Sequence, residues 1–198
     1  MKLDESIPSG AGARPTPESL SALWPSGVGE ARAAVRQAEP PRMRAPTAED
    51  GADIWALVKD TRVLDVNSPY SYLMLGEYFP ETCVVAERRD GLVGFVSAFL
   101  PPRQDDTVFV WQVAVAKKTG RRGLGKAMLR ELLERPACDG VRWLEATVTP
   151  SNRPSAALFR SLARDLESPC KITEGFPSEA FPGSSHEAEH RFRIGPLS

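Results

Sequence analysis

What this chain has little of narrows its chemistry before any motif is read. Three cysteines stand among 198 residues, Cys83, Cys138 and Cys170. They are odd in number, lack the paired spacing of a zinc site and sit mostly among apolar neighbours, so they read as buried, reduced thiols in a reducing compartment. Histidine is scarcer, with only His186 and His190, four apart in the stretch HEAEH. Those letters satisfy the H-E-x-x-H pattern of zinc proteases, which needs a helix and a third ligand. Here the stretch follows Pro182-Gly183-Ser184-Ser185 and runs into Arg191-Phe192-Arg193-Ile194, which reads as a short final strand. Zinc proteolysis is therefore set aside, and no metal is expected. No apolar run approaches the ~20 residues of a membrane span, and the first residues lack the charged-then-apolar order of a signal peptide. An excess of one charge is missing too: 25 basic residues face 26 acidic ones. That balance gives no electrostatic reason to bind nucleic acid or a membrane, and a cytoplasmic globular protein is expected.

Large apolar side chains are sparse over residues 1–41, which are rich in Pro, Ser, Gly and Ala. Such a segment cannot bury enough surface to offset chain entropy, so it is expected to be a disordered extension, with a short helix at most over residues 29–37. Order is expected from Pro41, with the folded domain over residues 42–198. A short strand at residues 42–45 leads to Thr47 and Asp50, a capping-box start for a helix whose apolar face is Ile54, Trp55, Leu57 and Val58. Ser68-Pro69 opens a second helix carrying Tyr70 and Tyr72, with Asp65 and Asn67 in the loop before it. Residues 82–88 and 92–100 form a hairpin around Arg89-Asp90-Gly91, and residues 107–115 a third antiparallel strand.

The organising stretch is VWQVAVAKKTGRRGLGKAMLRELL, residues 110–133. It passes from a β-branched strand through a basic, Gly-rich turn into a helix. A helix start presents unpaired N–H groups and the positive end of the peptide dipoles. Gly123 and Gly125 let a phosphate approach the main chain, and Arg121, Arg122 and Lys126 add charge, so the turn suits a pyrophosphate. Neither the dinucleotide pattern G-x-G-x-x-G nor the P-loop pattern is present. A strand at residues 141–148 then runs parallel to the third strand, because the helix crosses between them. Asn152 follows a break and opens a helix over residues 154–165. The expected fold is α/β, with a mixed, mostly antiparallel sheet, two splayed parallel strands at its centre and helices on its flanks.

Gly120-Arg121-Arg122-Gly123-Leu124-Gly125 resembles the acetyl-CoA loop of the GCN5-related N-acetyltransferases, Gln/Arg-x-x-Gly-x-Gly/Ala, with Gly120 where Gln or Arg is usual. Asn152, Ser155, Leu158 and Phe159 match a second motif of that family, with Phe159 where many members carry Tyr. The resemblance implies acetyl-CoA bound by Val113, Ala114 and Val115 of the first parallel strand, by Arg121 to Lys126 (including Leu124) and by Asn152. Asp65 to Tyr70, Phe109 to Val113, Leu144 to Asn152 and the C-terminal HEAEHRFRIGPL are similar to the diaminobutyrate acetyltransferases of the ectoine pathway. That likeness implies Asp65, Tyr70, Trp111, His186 and Glu189 as contacts of a diamino acid, transfer to its side-chain nitrogen, and a homodimer. An acidic pocket suits two ammonium groups, with Asn67 and Tyr70 as hydrogen-bonding groups and Trp111 facing a cation. His186 and Glu145 compete as general base, and Tyr70, Tyr72 or Tyr78 is available to replace the missing Tyr as acid. Acetylation of another small amine or polyamine, and a non-catalytic acetyl-CoA-binding module, are the alternatives. The apolar residues Phe176, Phe181, Phe192 and Ile194 suit either a dimer contact or the monomer core.

Overall fold

The computed structural model describes residues 39–117, 123–183 and 186–197. The extension over residues 1–38, the helix expected at 29–37, and Gly120, Arg121 and Arg122 lie outside the described residues. Seven strands, β1 (Arg42–Arg44), β2 (Val84–Arg88), β3 (Gly91–Phe99), β4 (Thr107–Val115), β5 (Trp143–Val148), β6 (Cys170–Glu174) and β7 (His190–Ile194), form one sheet in the order β1-β2-β3-β4-β5-β7-β6. Every neighbouring pair is antiparallel except β4 and β5. Helices α1 (Gly51–Thr61) and α2 (Pro69–Tyr78) join β1 to β2, α3 (Leu124–Leu133) crosses from β4 to β5, and α4 (Arg153–Asp165) follows β5. Strand β6 is an addition to the expected elements: it is only five residues long, and four of them are exposed.

Period-two alternation divides the strands between two apolar clusters, one on each face of the sheet. Val84, Val96, Val108, Val110, Leu144, Phe192 and Ile194 pack with Met128, Leu129 and Leu132 of α3 and Phe159 and Leu162 of α4. Val85, Phe95 and Ala114 pack with Ile54, Leu57 and Val58 of α1 and Tyr72 and Leu75 of α2. Each such large side chain contributes roughly 1.5–3 kcal/mol on burial. Phe192 and Ile194 thus complete the core of the chain itself.

Two local devices fix the helix layer over β2–β4. The Thr47–Asp50 capping box forms, and Asp50 is gripped by both terminal nitrogens of Arg44 at 2.7 and 2.8 Å. Further on, α2 presses so closely on the Thr47 turn that a Cβ at Gly76 would overlap the Thr47 carbonyl group. The start of α1 and the later turns of α2 are thereby held together.

Candidate active site

Strands β4 and β5 pair from Thr107 with Trp143 to Val110 with Ala146 and then part. Beyond that point β4 continues only along β3, to Val115, and β5 only along β7, to Val148. The cause is visible in the register: Ala98 of β3 faces Val110 while Ser97 faces Gln112, so Trp111 is an extra residue in β4. Such a bulge bends its strand and increases its twist. It also turns Trp111 and Gln112 to the same side, and both line a cavity of about 870 Å³ at the split.

At the far end of β4 the start of α3 is shaped to receive an anion. Gly123, the N-cap residue, has φ of +101°, and no Cβ contact lies within 4 Å of it. The first turn of α3 carries no acidic residue and no side-chain cap among the described residues, and a helix start leaves its first N–H groups, those of Leu124, Gly125 and Lys126, without partners inside the helix. Gly125 serves packing instead. A Cβ there would meet Val113 at 3.3 Å and Leu158 at 3.4 Å, so its bareness lets α3 close onto β4 and α4. Lys126, expected at the pyrophosphate, joins α3 to α4 through Asp165 (2.6 Å) and Ser161 (3.1 Å).

The cavity has two walls from opposite ends of the domain. The first is the loop at residues 63–67, pinned from beneath by Gln112, whose Nε2 donates to the Asp65 carbonyl at 2.8 Å. The buried Tyr72 hydroxyl donates to Gln112 Oε1 at 3.3 Å and accepts from the Asn67 N–H at 3.4 Å. The second wall extends the β6–β7 ladder. Glu189 exchanges main-chain bonds with Gly175 and Phe176, and Glu187 Oε2 accepts from the Ser151 N–H at 3.0 Å. Phe181 stacks on the His186 ring, with centroids 3.7 Å apart.

The walls meet at His186, whose Nε2 lies 3.5 Å from Asp65 Oδ2 and whose Nδ1 is 2.7 Å from the Glu187 carbonyl oxygen. That carbonyl accepts only, so Nδ1 carries the hydrogen and Nε2 is the free base of the neutral ring. The carbonyl contact first, and then the Asp65 carboxylate, hold the imidazole above its ordinary value. Glu189 is also raised, chiefly by burial, against the opposing effects of the Thr147 hydroxyl and His186. Glu187 is lowered by its contacts with Ser151. Glu145, the other candidate base, lies on the cavity face of β5, and its Oε1 is held at 2.5 Å by Arg193. The Arg193 guanidinium in turn lies 4.3 Å above the Trp143 ring.

Of the residues singled out in sequence, Asp65, Asn67, Trp111, Glu145, Asn152, His186 and Glu189 line this cavity together. Val113, Ala114, Val115, Gly123, Leu124 and Gly125 lie beyond it, along the parted edge of β4 and the start of α3. Tyr70 does not line it: the side chain is 66% exposed, and Tyr72 is the tyrosine that α2 turns inward. Tyr78 is exposed as well, so no tyrosine lines the cavity among the described residues. Phe159 is buried against Phe192 rather than at the split. Residues 186–189 are not helical and His190 belongs to β7, so the HEAEH letters do not build a metal-binding helix. Arg191 is a cavity residue that sequence reasoning misses. The signal for Arg191 is alternation, since Phe192 and Ile194 face the core and leave Arg191 and Arg193 on the cavity side.

The chain is similar to known acetyltransferases. The profile of the acetyltransferase (GNAT) family matches residues 52–163. The L-2,4-diaminobutyric acid acetyltransferase of Shouchella clausii is 49% identical over 170 residues, covering 86% of this chain and 95% of that protein. The protein of the same name from Halalkalibacterium halodurans is 53% identical over 152 residues, covering 77% and 80%. Among solved structures, the diaminobutyrate acetyltransferase EctA of Paenibacillus lautus, in complex with its substrate L-2,4-diaminobutyric acid and coenzyme A, superposes with a TM-score of 0.77. It is 49% identical, covering 80% of this chain and 96% of that one. With the parted strands, the glycine-capped helix and the acidic cavity, these matches show that the chain belongs to the GNAT acetyltransferase family, in the branch of the L-2,4-diaminobutyric acid acetyltransferases.

Proposed function

We propose that this protein transfers an acetyl group from acetyl-CoA to the side-chain nitrogen of L-2,4-diaminobutyrate, giving the N4-acetyl product used in ectoine biosynthesis. The observation that carries the reading is the cavity at the strand split, in which acidic groups from two sequence-distant walls converge on one imidazole. The N–H groups that open α3 suit the pyrophosphate, and the main chain of Val113 to Val115, without a β5 partner, suits the pantetheine arm. Bound there, acetyl-CoA supplies a thioester, an acyl carbon open to attack by an uncharged amine.

The protein's own groups solve the proton problem. Asp65, Glu187 and Glu189 attract the diammonium acceptor, and Trp111 offers it an aromatic face. His186 Nε2 takes the ammonium proton, and Asp65 and Glu189 stabilise the resulting imidazolium. Phe176 and Phe181 reduce access of water to that exchange. A departing thiolate, with a thiol pKa of about 8.5, needs no dedicated acid, in keeping with a cavity that tyrosine does not line.

The reading extends to a cytoplasmic homodimer. No helix among the described residues is long and apolar enough to cross a membrane, and Val63, Val66, Tyr70 and Leu73 stand exposed between α1 and the middle of α2. A second copy covering that stretch would bury it. In this arrangement Tyr70 belongs to the contact between copies, at the edge of the loop that carries Asp65. The test is thiol release from acetyl-CoA with L-2,4-diaminobutyrate beside ornithine, lysine and spermidine, with NMR locating the acetylated nitrogen. Release confined to diaminobutyrate with N4 as the site is the expected result; equal rates with all four amines would refute the assignment.

A further inference from the structure

Arg191 is a cation placed inside an acidic cavity with no ionic partner among the described residues. It lies on β7 opposite Thr147, the first β5 residue past the last β4–β5 pair, so it stands beside the split on the cavity face. Its Nε is buried without a hydrogen-bond partner, and its guanidinium forms no ion pair among the described residues. The other charged groups of the cavity are engaged: Glu145 with Arg193, Glu187 with the Ser151 N–H, Glu189 with the Thr147 hydroxyl, and His186 with Asp65. Leaving a guanidinium donor buried and unsatisfied is costly, whereas its fork is matched to a carboxylate.

We infer that Arg191 holds the α-carboxylate of the acceptor and thereby selects which amino nitrogen reaches the split. This rests on the acceptor being an α-carboxylated diamine, as proposed above. The charges balance on that basis. Asp65, Glu187 and Glu189 answer two ammonium groups, and Arg191 answers the one negative charge that a diamino acid carries and a polyamine lacks. Selection of the nitrogen follows from reach. The α-nitrogen lies roughly 2.5 Å from the carboxylate carbon, whereas four bonds carry the γ-nitrogen about 5 Å away in an extended chain. With the carboxylate fixed next to Thr147, the distal nitrogen is the one that extends toward the parted strands. The same cation repels diamines that bring no carboxylate, so Arg191 contributes discrimination as well as attraction.

The test compares L-2,4-diaminobutyrate with 1,3-diaminopropane, the same diamine without its carboxylate, and with 2,4-diaminobutyramide, in which an uncharged carboxamide replaces the carboxylate. The intact enzyme should prefer diaminobutyrate to either analogue by on the order of a hundredfold in kcat/KM, mostly through KM. In Arg191→Gln that ratio should collapse toward one because diaminobutyrate alone loses its anchor. Arg191→Lys, which keeps the charge but not the fork, should retain an intermediate preference and serves if the glutamine variant does not fold. An undiminished ratio in a folded Arg191→Gln, or an intact enzyme indifferent to the carboxylate, would overturn the inference while leaving diaminobutyrate acetylation standing. An intact enzyme that does not acetylate diaminobutyrate would remove the premise, and the inference with it.

Discussion

Replacing Gln112 by leucine should loosen one wall of the cavity without touching the reacting groups. Gln112 is 6% exposed and its side chain spends both ends, Nε2 on the Asp65 carbonyl at 2.8 Å and Oε1 on the Tyr72 hydroxyl at 3.3 Å. Leucine fills nearly the same volume, so cavity formation is a minor cost. Two hydrogen bonds at about 1 kcal/mol each are lost, and the fully buried Tyr72 hydroxyl loses the acceptor for its proton. The sum is roughly 2–3 kcal/mol, equivalent to a fall of about 5–10 °C in the thermal transition of a domain this size. The functional effect should be selective. Asp65 is held by its own main chain while its carboxylate is 89% exposed, so freeing the loop should raise KM for diaminobutyrate roughly five- to tenfold and leave KM for acetyl-CoA within about twofold. Thermal unfolding and initial-rate thiol release measure both. Combining Gln112→Leu with Tyr72→Phe should cost less than the two singles added, because the double variant no longer strands the hydroxyl. An unchanged transition temperature, an equal rise in both KM values, or strict additivity would refute the linkage between Gln112 and the loop.

Three further outcomes follow from the same geometry. His186 must be uncharged at Nε2 to accept a proton, so kcat/KM should rise with pH through a value above the ordinary ~6.5 of histidine. Asp65→Asn removes one of the groups holding that value up and should move the rise to lower pH; a rise that does not move excludes His186 as the titrating group. Glu145→Gln leaves Arg193 on Trp143 without its carboxylate, at a cost of roughly 2–4 kcal/mol in unfolding experiments. The acidic limb of kcat/KM should survive that change, and its disappearance would make Glu145 the base. Gly76→Ala sets a methyl against the Thr47 carbonyl, so it should lower the thermal transition by about 5–10 °C, and a neutral result would contradict the close approach of α2 to that turn.

The parts of the fold that could be read in sequence are those where a local rule and the tertiary environment agree. Asn152 accepts from the Ser155 N–H as an N-cap does, the Thr47–Asp50 box forms, and the valines of β4 alternate onto the α3 side. The bulge at Trp111 is hard to read in sequence, because VFVWQVAV has apolar residues for both faces and its one mark is the valine spacing, which slips by one between Val110 and Val113. Without the bulge, Trp111 and Gln112 would face opposite sides and Gln112 would have no route to Asp65. In α2 the capping signal located the helix, but ten residues with apolar side chains all around could not say whether Tyr70 or Tyr72 faces inward. Arg191 was obscured for an electrostatic reason: a basic residue alternating with apolar ones on a terminal strand has the pattern of an ordinary solvated face.

The two walls of the cavity come from residues 63–67 on one side and from residues 176–183 and 186–191 on the other, while the parted strands, the helix start and α4 occupy the chain between them. In heredity that separation acts as a division of labour. Substitutions, and even short insertions, in the two flanking stretches can change which amine is admitted without disturbing how the acyl donor is held. The acidic contacts to the amine are thus free to drift at a different rate from the thioester site within one gene, and a chimaera exchanging only the flanks would take those acids from one parent, and Trp111 with the thioester handling from the other.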